Sequence, residues 1–153
     1  MASPARLEVD RFQRSGFRYF TPTPTRWGDC DMLGHINNVE YLRYYESARL
    51  DYFQQVLGIS TGLEPGDSLI LADIRVTFLS QIHHPCALEV GTRICRLGNS
   101  SFEVESGVFV PGEERPSSIS SATSVWFDYA QNRSLPIPAA MRQTIQQFEG
   151  IES

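Results

Sequence analysis

Residues 28–42, GDCDMLGHINNVEYL, carry two aspartates, a histidine and two asparagines directly ahead of an apolar-periodic run. Such residues can perform acyl chemistry. A carboxylate attacks a carbonyl or takes a proton from water, and a helix start offers backbone N–H groups to an oxygen gaining charge. Their spacing gives each a place. With Asn37 as N-cap, Glu40 stands at N3 of a capping box, and Ile36 and Tyr41 form the N′/N4 pair of a hydrophobic staple. Asn37 then satisfies the N–H of Val39 or Glu40, and that of Asn38 keeps no partner. Such a donor carries part of roughly +0.5 elementary charge. Asp31 opens the turn DMLGHI, and Gly34 gives that turn the backbone freedom to fold over the helix end. A carboxylate at Asp31 and a carbonyl-polarising amide at Asn38 are therefore the candidate catalytic pair. The alternative use of the same residues is ordinary turn formation and capping. His83 and His84 read as a solvated turn, with no third ligand at metal spacing, so neither a metal nor a cofactor is expected.

The elements that must position this stretch are legible around it. FRYFTPTPTRW (17–27) reads as a strand whose Pro22 and Pro24 lie on one side of the pleat, which places that side at a sheet edge. Residues 38–57 read as a long helix stopped by Gly58. Its inner face is Leu42, Tyr45, Arg49, Tyr52 and Val56, widened by Val39, Tyr41, Ala48 and Phe53. TGLEPGDS (61–68) is a loop by composition. Four period-2 runs follow. Ala72, Ile74, Val76, Phe78 and Ile82 mark the first, and Leu88, Val90, Thr92 and Ile94 the second. Phe102, Val104, Val108 and Val110 mark the third, and Ile119, Thr123, Val125 and Phe127 the fourth. In that last run the serines at 118, 120 and 124 form the opposite, polar row. HHP, LGNSS and PGEERP join the four runs, which predicts an antiparallel meander. A short helix over about 138–148 closes the chain. The expected class is α+β, with one long helix wrapped by a curved sheet of about five strands. The helix covers one face of the sheet only, and the uncovered face predicts a homodimer.

The 153 residues suit one domain spanning 1–153, with 1–15 as a loosely held lead-in. A net charge of −5 disfavours nucleic acid and anionic membranes as partners. No apolar run approaches the roughly 20 residues of a membrane span, and MASPARLEVDRFQRSGF has no signal-like apolar stretch. Cys30, Cys86 and Cys95 are odd in number and widely spaced, as in a reduced, cytoplasmic protein. Cys30, between two aspartates, is a poor nucleophile. Arg75, Arg93 and Arg96 are expected on solvated faces.

RWGDCDMLGHINNVEYLRYYESAR closely resembles the motif of the hotdog-fold acyl-CoA thioesterases of the 4-hydroxybenzoyl-CoA thioesterase type. The similarity continues through IRVTFLSQIHHPCALEVGTRICRLGNSSFEVE and into SVWFDYAQNRSLPIP, about residues 17–148. The D-x-D-x-x-G-H-x-N-N-x-x-Y block is its specific part. The resemblance implies a long helix wrapped by an antiparallel sheet, assembly as a homodimer or homotetramer, and active sites at subunit interfaces. Position by position, it makes Asp31 the catalytic carboxylate and gives Asn38 the amide that faces the thioester carbonyl. Asp29, Gly34, His35, Asn37 and Tyr41 become the candidate substrate-binding residues, with His35 and Asn37 shaping the pocket and positioning water. The implied substrate is an acyl-CoA, or the corresponding acyl-carrier-protein thioester. One departure stands out. Some relatives carry a basic cluster just before the Ser-Phe of the third turn, where it meets CoA phosphates. Here that turn is LGNSSF, with Arg93 and Arg96 the nearest cations. Two other functions use the same fold. A non-catalytic acyl-CoA binder would use the same pocket, and an enoyl-CoA hydratase would carry D-x-N-P-x-H. Asp31 is followed instead by Met, Leu and Gly, with His35 one residue early for that motif.

Overall fold

The computed structural model describes residues 9–60 and 66–152 and curls one antiparallel sheet around a long helix. Strand β1 (Tyr19–Pro24) leads to helix α1 (Asn38–Gln55). Four long strands follow: β2 (Asp67–Phe78), β3 (Ala87–Leu97), β4 (Ser101–Phe109) and β5 (Ser118–Asp128). The short β6 (Arg133–Ser134) and helix α2 (Ala139–Glu149) complete the order. Most of the 61–68 loop lies outside the described residues; its last two residues already belong to β2.

The sheet order is β1-β3-β4-β5-β2, with β6 beside β5. β1 is an edge, as its prolines require. The predicted meander holds for β3, β4 and β5 but not for β2. That strand pairs with β5 along Asp67–Phe78, at the opposite edge from β1. The physical reason lies in the connection. Residues 79–86 contain no two-residue hairpin turn, and the N–H groups of Leu79 and Ser80 donate to the Ser117 carbonyl instead, carrying the chain past the end of β5. Bulges at Leu71/Asp73 and Ile94/Arg96 also break the strict alternation of β2 and β3.

The inner face of the sheet meets α1 in two apolar clusters. One gathers Tyr41, Tyr44, Tyr45 and Ala48 with Leu88, Val90 and Val108. The other gathers Tyr52 and Phe53 with Ile94, Phe102, Val104 and Ile145 of α2. Large tyrosines on the helix require small residues opposite them, and β5 provides these. Ser118, Ser120 and Ser124 are buried, and the Tyr45 hydroxyl donates to Ser118 Oγ at 2.6 Å. The expectation of a polar outer row is thereby reversed for these serines. Asp51 ties the helix to the other edge, accepting from the hydroxyls of Tyr19 (2.8 Å) and Thr21 (2.6 Å).

The outer face is partly covered by the N-terminal segment. Val9, Phe12 and Phe17 pack on Phe109 and Ile119. Arg11 (2.6 Å) and Arg93 (3.2 Å) pair with the buried Glu105. Residues 9–15 are thus anchored rather than loosely held; residues 1–8 lie outside the described set. Arg93 likewise leaves the solvated group, since it also donates to the carbonyls of Gly16 and Arg11. Arg96 stays exposed, 3.8 Å from Glu103.

One flank of α1 is bare. Val39 and Leu42, expected in the core, are 67% and 45% exposed. In β2, Ile70, Leu71 and Phe78 are exposed as well. Arg49, by contrast, is buried, and burial holds its guanidinium below the usual arginine range. No described helix is long and apolar enough to cross a membrane.

Candidate active site

The stretch ahead of α1 folds as a closed turn. Trp27–Asp29 forms a short 3₁₀ turn, after which Cys30 and Ile36 bridge across the loop. The Asp31 N–H donates to the His35 carbonyl (2.8 Å), and the Gly34 N–H to that of Asp31 (3.2 Å). Gly34 takes φ +79°, the left-handed conformation that glycine adopts without strain. The loop is then fastened to the segment after β2. The Ile36 N–H donates to the Ile82 carbonyl, and the rings of His35 and His83 meet edge to face at 4.7 Å.

Asp31 is held at one oxygen. Its Oδ1 accepts from the N–H groups of Leu33 (2.8 Å) and His35 (3.2 Å), which fixes the orientation of an exposed carboxylate. Asn37 is the N-cap, and its side chain accepts from the Val39 N–H at 3.2 Å. Glu40 does not close the predicted capping box. The Asn37 N–H donates instead to the Asp29 carbonyl, and Glu40 stands 3.5 Å from Arg26 and 3.3 Å from Arg43. The N–H of Asn38, first residue of an 18-residue helix, meets no acceptor among the described residues. Ile36 and Tyr41, the predicted staple pair, are buried in one cluster.

A cavity of about 350 Å³ brings Asp31, His35, Asn38 and Tyr41 together. Burial pushes the Tyr41 phenol up to about 12, so it stays protonated near neutrality. Leu33 and Ile36 add apolar surface, and Phe78, Leu79, Ser80 and Gln81 form the opposite wall. Sequence reading missed that wall because only the pairing of β2 with β5 brings its end beside the start of α1. The Tyr41–Phe78 contact, at 5.1 Å, is the seam.

Asp29, Gly34 and Asn37 line no part of this cavity. Asn37 caps, Gly34 turns the loop, and Asp29 is fully buried behind it. Asp29 Oδ2 accepts from the Tyr44 hydroxyl (2.6 Å) and the Arg26 N–H (2.9 Å), while Oδ1 faces the Arg26 guanidinium. Burial alone would raise its pKa; the bonds from Tyr44 and Arg26 outweigh it and hold the carboxyl below the usual range. His84 pairs with the Thr25 hydroxyl rather than standing free. Burial pushes the thiols of Cys86 and Cys95 up, the latter to about 12, which makes them poor nucleophiles.

Comparison with known proteins agrees with this architecture. Residues 25–145 match the family model described as the thioesterase-like superfamily. Over 103 residues the chain is 27% identical to YsmA of Bacillus subtilis, covering 66% of this chain and 68% of that protein. The PA5185 protein of Pseudomonas aeruginosa superposes with a TM-score of 0.82 at 26% identity, over 89% of this chain and 94% of that one. A Thermus thermophilus thioesterase, solved with coenzyme A and Zn, gives 0.76 at 30% identity, over 90% and 98%. The family model spans most of the chain and the fold is shared with these solved structures: the chain belongs to the thioesterase-like superfamily, and its chemistry is thioester hydrolysis.

Proposed function

We propose that the chain hydrolyses acyl-CoA thioesters to a free carboxylic acid and CoA in the cavity at the start of α1. The observation that carries this reading is one cavity lined by both the Asp31 carboxylate, anchored at a single oxygen, and Asn38, whose N–H has no acceptor among the described residues. The acyl carbonyl accepts from the Asn38 N–H, and that bond strengthens as the oxygen gains negative charge. Asp31 supplies the attack in one of two ways. It adds directly to the carbonyl, expelling the CoA thiolate and leaving an anhydride that water cleaves. Otherwise it takes the proton from a water that adds in its place. Tyr41, Phe78, Leu33 and Ile36 give the acyl group an apolar bed.

The 12-residue β2 at the sheet edge, with its exposed Ile70 and Leu71, and the exposed Val39 and Leu42 of α1 support a homodimer that covers them. Leu33 of the cavity wall and its chain neighbour Met32, both exposed, support a site completed across that interface. The D-x-D-x-x-G-H-x-N-N-x-x-Y block supports the 4-hydroxybenzoyl-CoA thioesterase type, within one hotdog domain. Three free cysteines suit a reducing cytoplasm.

A thiol-release assay over a panel of aromatic, short and long acyl-CoAs tests the reading. Asp31→Asn is expected to lose about 10²- to 10⁴-fold in kcat with an unchanged circular dichroism spectrum. Wild-type turnover in that variant moves the chemistry elsewhere. Tight acyl-CoA binding without turnover in the wild type makes the protein a binder.

A further inference from the structure

Asp29 is bonded to the catalytic region at both of its ends. Its side chain accepts from Tyr44, which lies six residues past Asn38, nearly two turns into α1. Its own carbonyl accepts from the N–H of Asn37, the residue just before Asn38 (2.9 Å). Arg26 completes the clamp from the other side, with its backbone N–H at 2.9 Å, Nε at 3.0 Å and Nη2 at 2.9 Å from the carboxylate. One residue thus ties the loop to the helix cap and to the helix body, two positions before Asp31. The Cys30–Ile36 bridge passes that constraint into the loop. Asp29 is fully buried and absent from the cavity wall, so it reaches neither substrate nor solvent.

We propose that Asp29 is a positioning residue for thioester hydrolysis, setting the separation between the Asp31 carboxylate and the Asn38 N–H. The proposal rests on the assignment of that pair as the catalytic one. A carboxylate is required at position 29 because four donors converge on it. An amide there would replace one acceptor oxygen by an NH2 group, setting donors against either the Arg26 guanidinium at Oδ1 or the Tyr44 hydroxyl and Arg26 N–H at Oδ2. A displacement of about 1 Å at the reacting atoms is enough to cost about 10²-fold.

The test is a double-mutant cycle of Asp29→Asn and Asp31→Asn, with Tyr44→Phe as a milder variant, in steady-state acyl-CoA hydrolysis. Asp29→Asn is expected to lower kcat about 10- to 100-fold with KM within about threefold. Combined with Asp31→Asn it should add almost nothing, because it acts through that residue. Tyr44→Phe, which removes only the bond to the helix body, should lower kcat several-fold at constant KM. An Asp29→Asn enzyme with wild-type kcat, a rise in KM alone, or full multiplication of the two effects overturns the proposal. If Asp29→Asn does not fold, an unchanged kcat in Tyr44→Phe overturns it instead, and a several-fold loss supports it. Retained activity in Asp31→Asn alone defeats the assignment of the pair, a separate outcome from any of these.

Discussion

At the scale of single residues, the candidate pair was the most legible feature of the sequence. Turn, glycine and cap residues each admit few uses, and their spacing left few registers. Asp29 was misplaced for the opposite reason: an aspartate in a turn looks solvent-facing, and only the fold shows Tyr44 and Arg26 converging on it. Its burial has a measurable cost. Removing the Tyr44 hydroxyl takes one donor from a buried carboxylate, a loss of about 1.5–3 kcal/mol. The folded Asp29 lies below its ordinary range, so its contribution to stability is complete above the unfolded carboxylate value and disappears as pH falls through the folded one. Tyr44→Phe should therefore lower Tm at neutral pH and lose less on acidification than wild type, because less of its stability depends on the ionised form. Thermal unfolding between pH 7 and pH 3 checks this, and identical pH slopes in the two proteins would contradict it.

At the scale of elements, both helices and the four long strands occur where the periodicities of the sequence put them, apart from the bulges in β2 and β3. Asn37 is the N-cap as expected, and α1 ends at Gln55 with Val56 as C-cap, shortly before the left-handed Gly58. Periodicity could not say which row of β5 is buried. Serine satisfies its hydroxyl locally and fits under a tyrosine, so Ser118 and Ser120 enter the core although their composition reads as surface. The docking of α2 carries its own pH dependence. Glu149 Oε1 accepts from the Tyr52 hydroxyl (2.5 Å) and the Ile94 N–H (3.2 Å), yet burial raises its carboxyl above the usual range. A raised folded value means that the contribution is full below the unfolded value and is lost as pH climbs through the folded one. Glu149→Gln keeps an acceptor for both donors and carries no charge. Its Tm should be flatter than that of wild type from pH 4.5 to 8 and should match or exceed it at the upper end. A lower Tm at pH 8 would show that the ionised carboxylate stabilises this contact.

At the scale of the whole molecule, alternation identifies strands without naming their neighbours, which is why β2 was expected beside β3. That one misplacement hid four of the ten residues that line the cavity, Phe78 to Gln81. It also determines where the molecule is open. Leu71, on the helix side of the free edge, is 41% exposed. The proposed homodimer predicts that a lysine there shifts the particle mass from dimer to monomer at micromolar concentration in light scattering, with loss of turnover. A wild-type protein that is monomeric at every concentration would remove the interface from the account. The same topology governs how the chain is made. The last residue of β2 precedes the first residue of its partner β5 by 40 positions, from 78 to 118. At ribosomal rates that interval is about 2–8 s, during which an apolar strand has left the tunnel with no neighbour to pair with. The nascent chain is therefore most vulnerable to association with its own copies before the sheet can close, and its yield should depend on how quickly translation crosses those 40 codons.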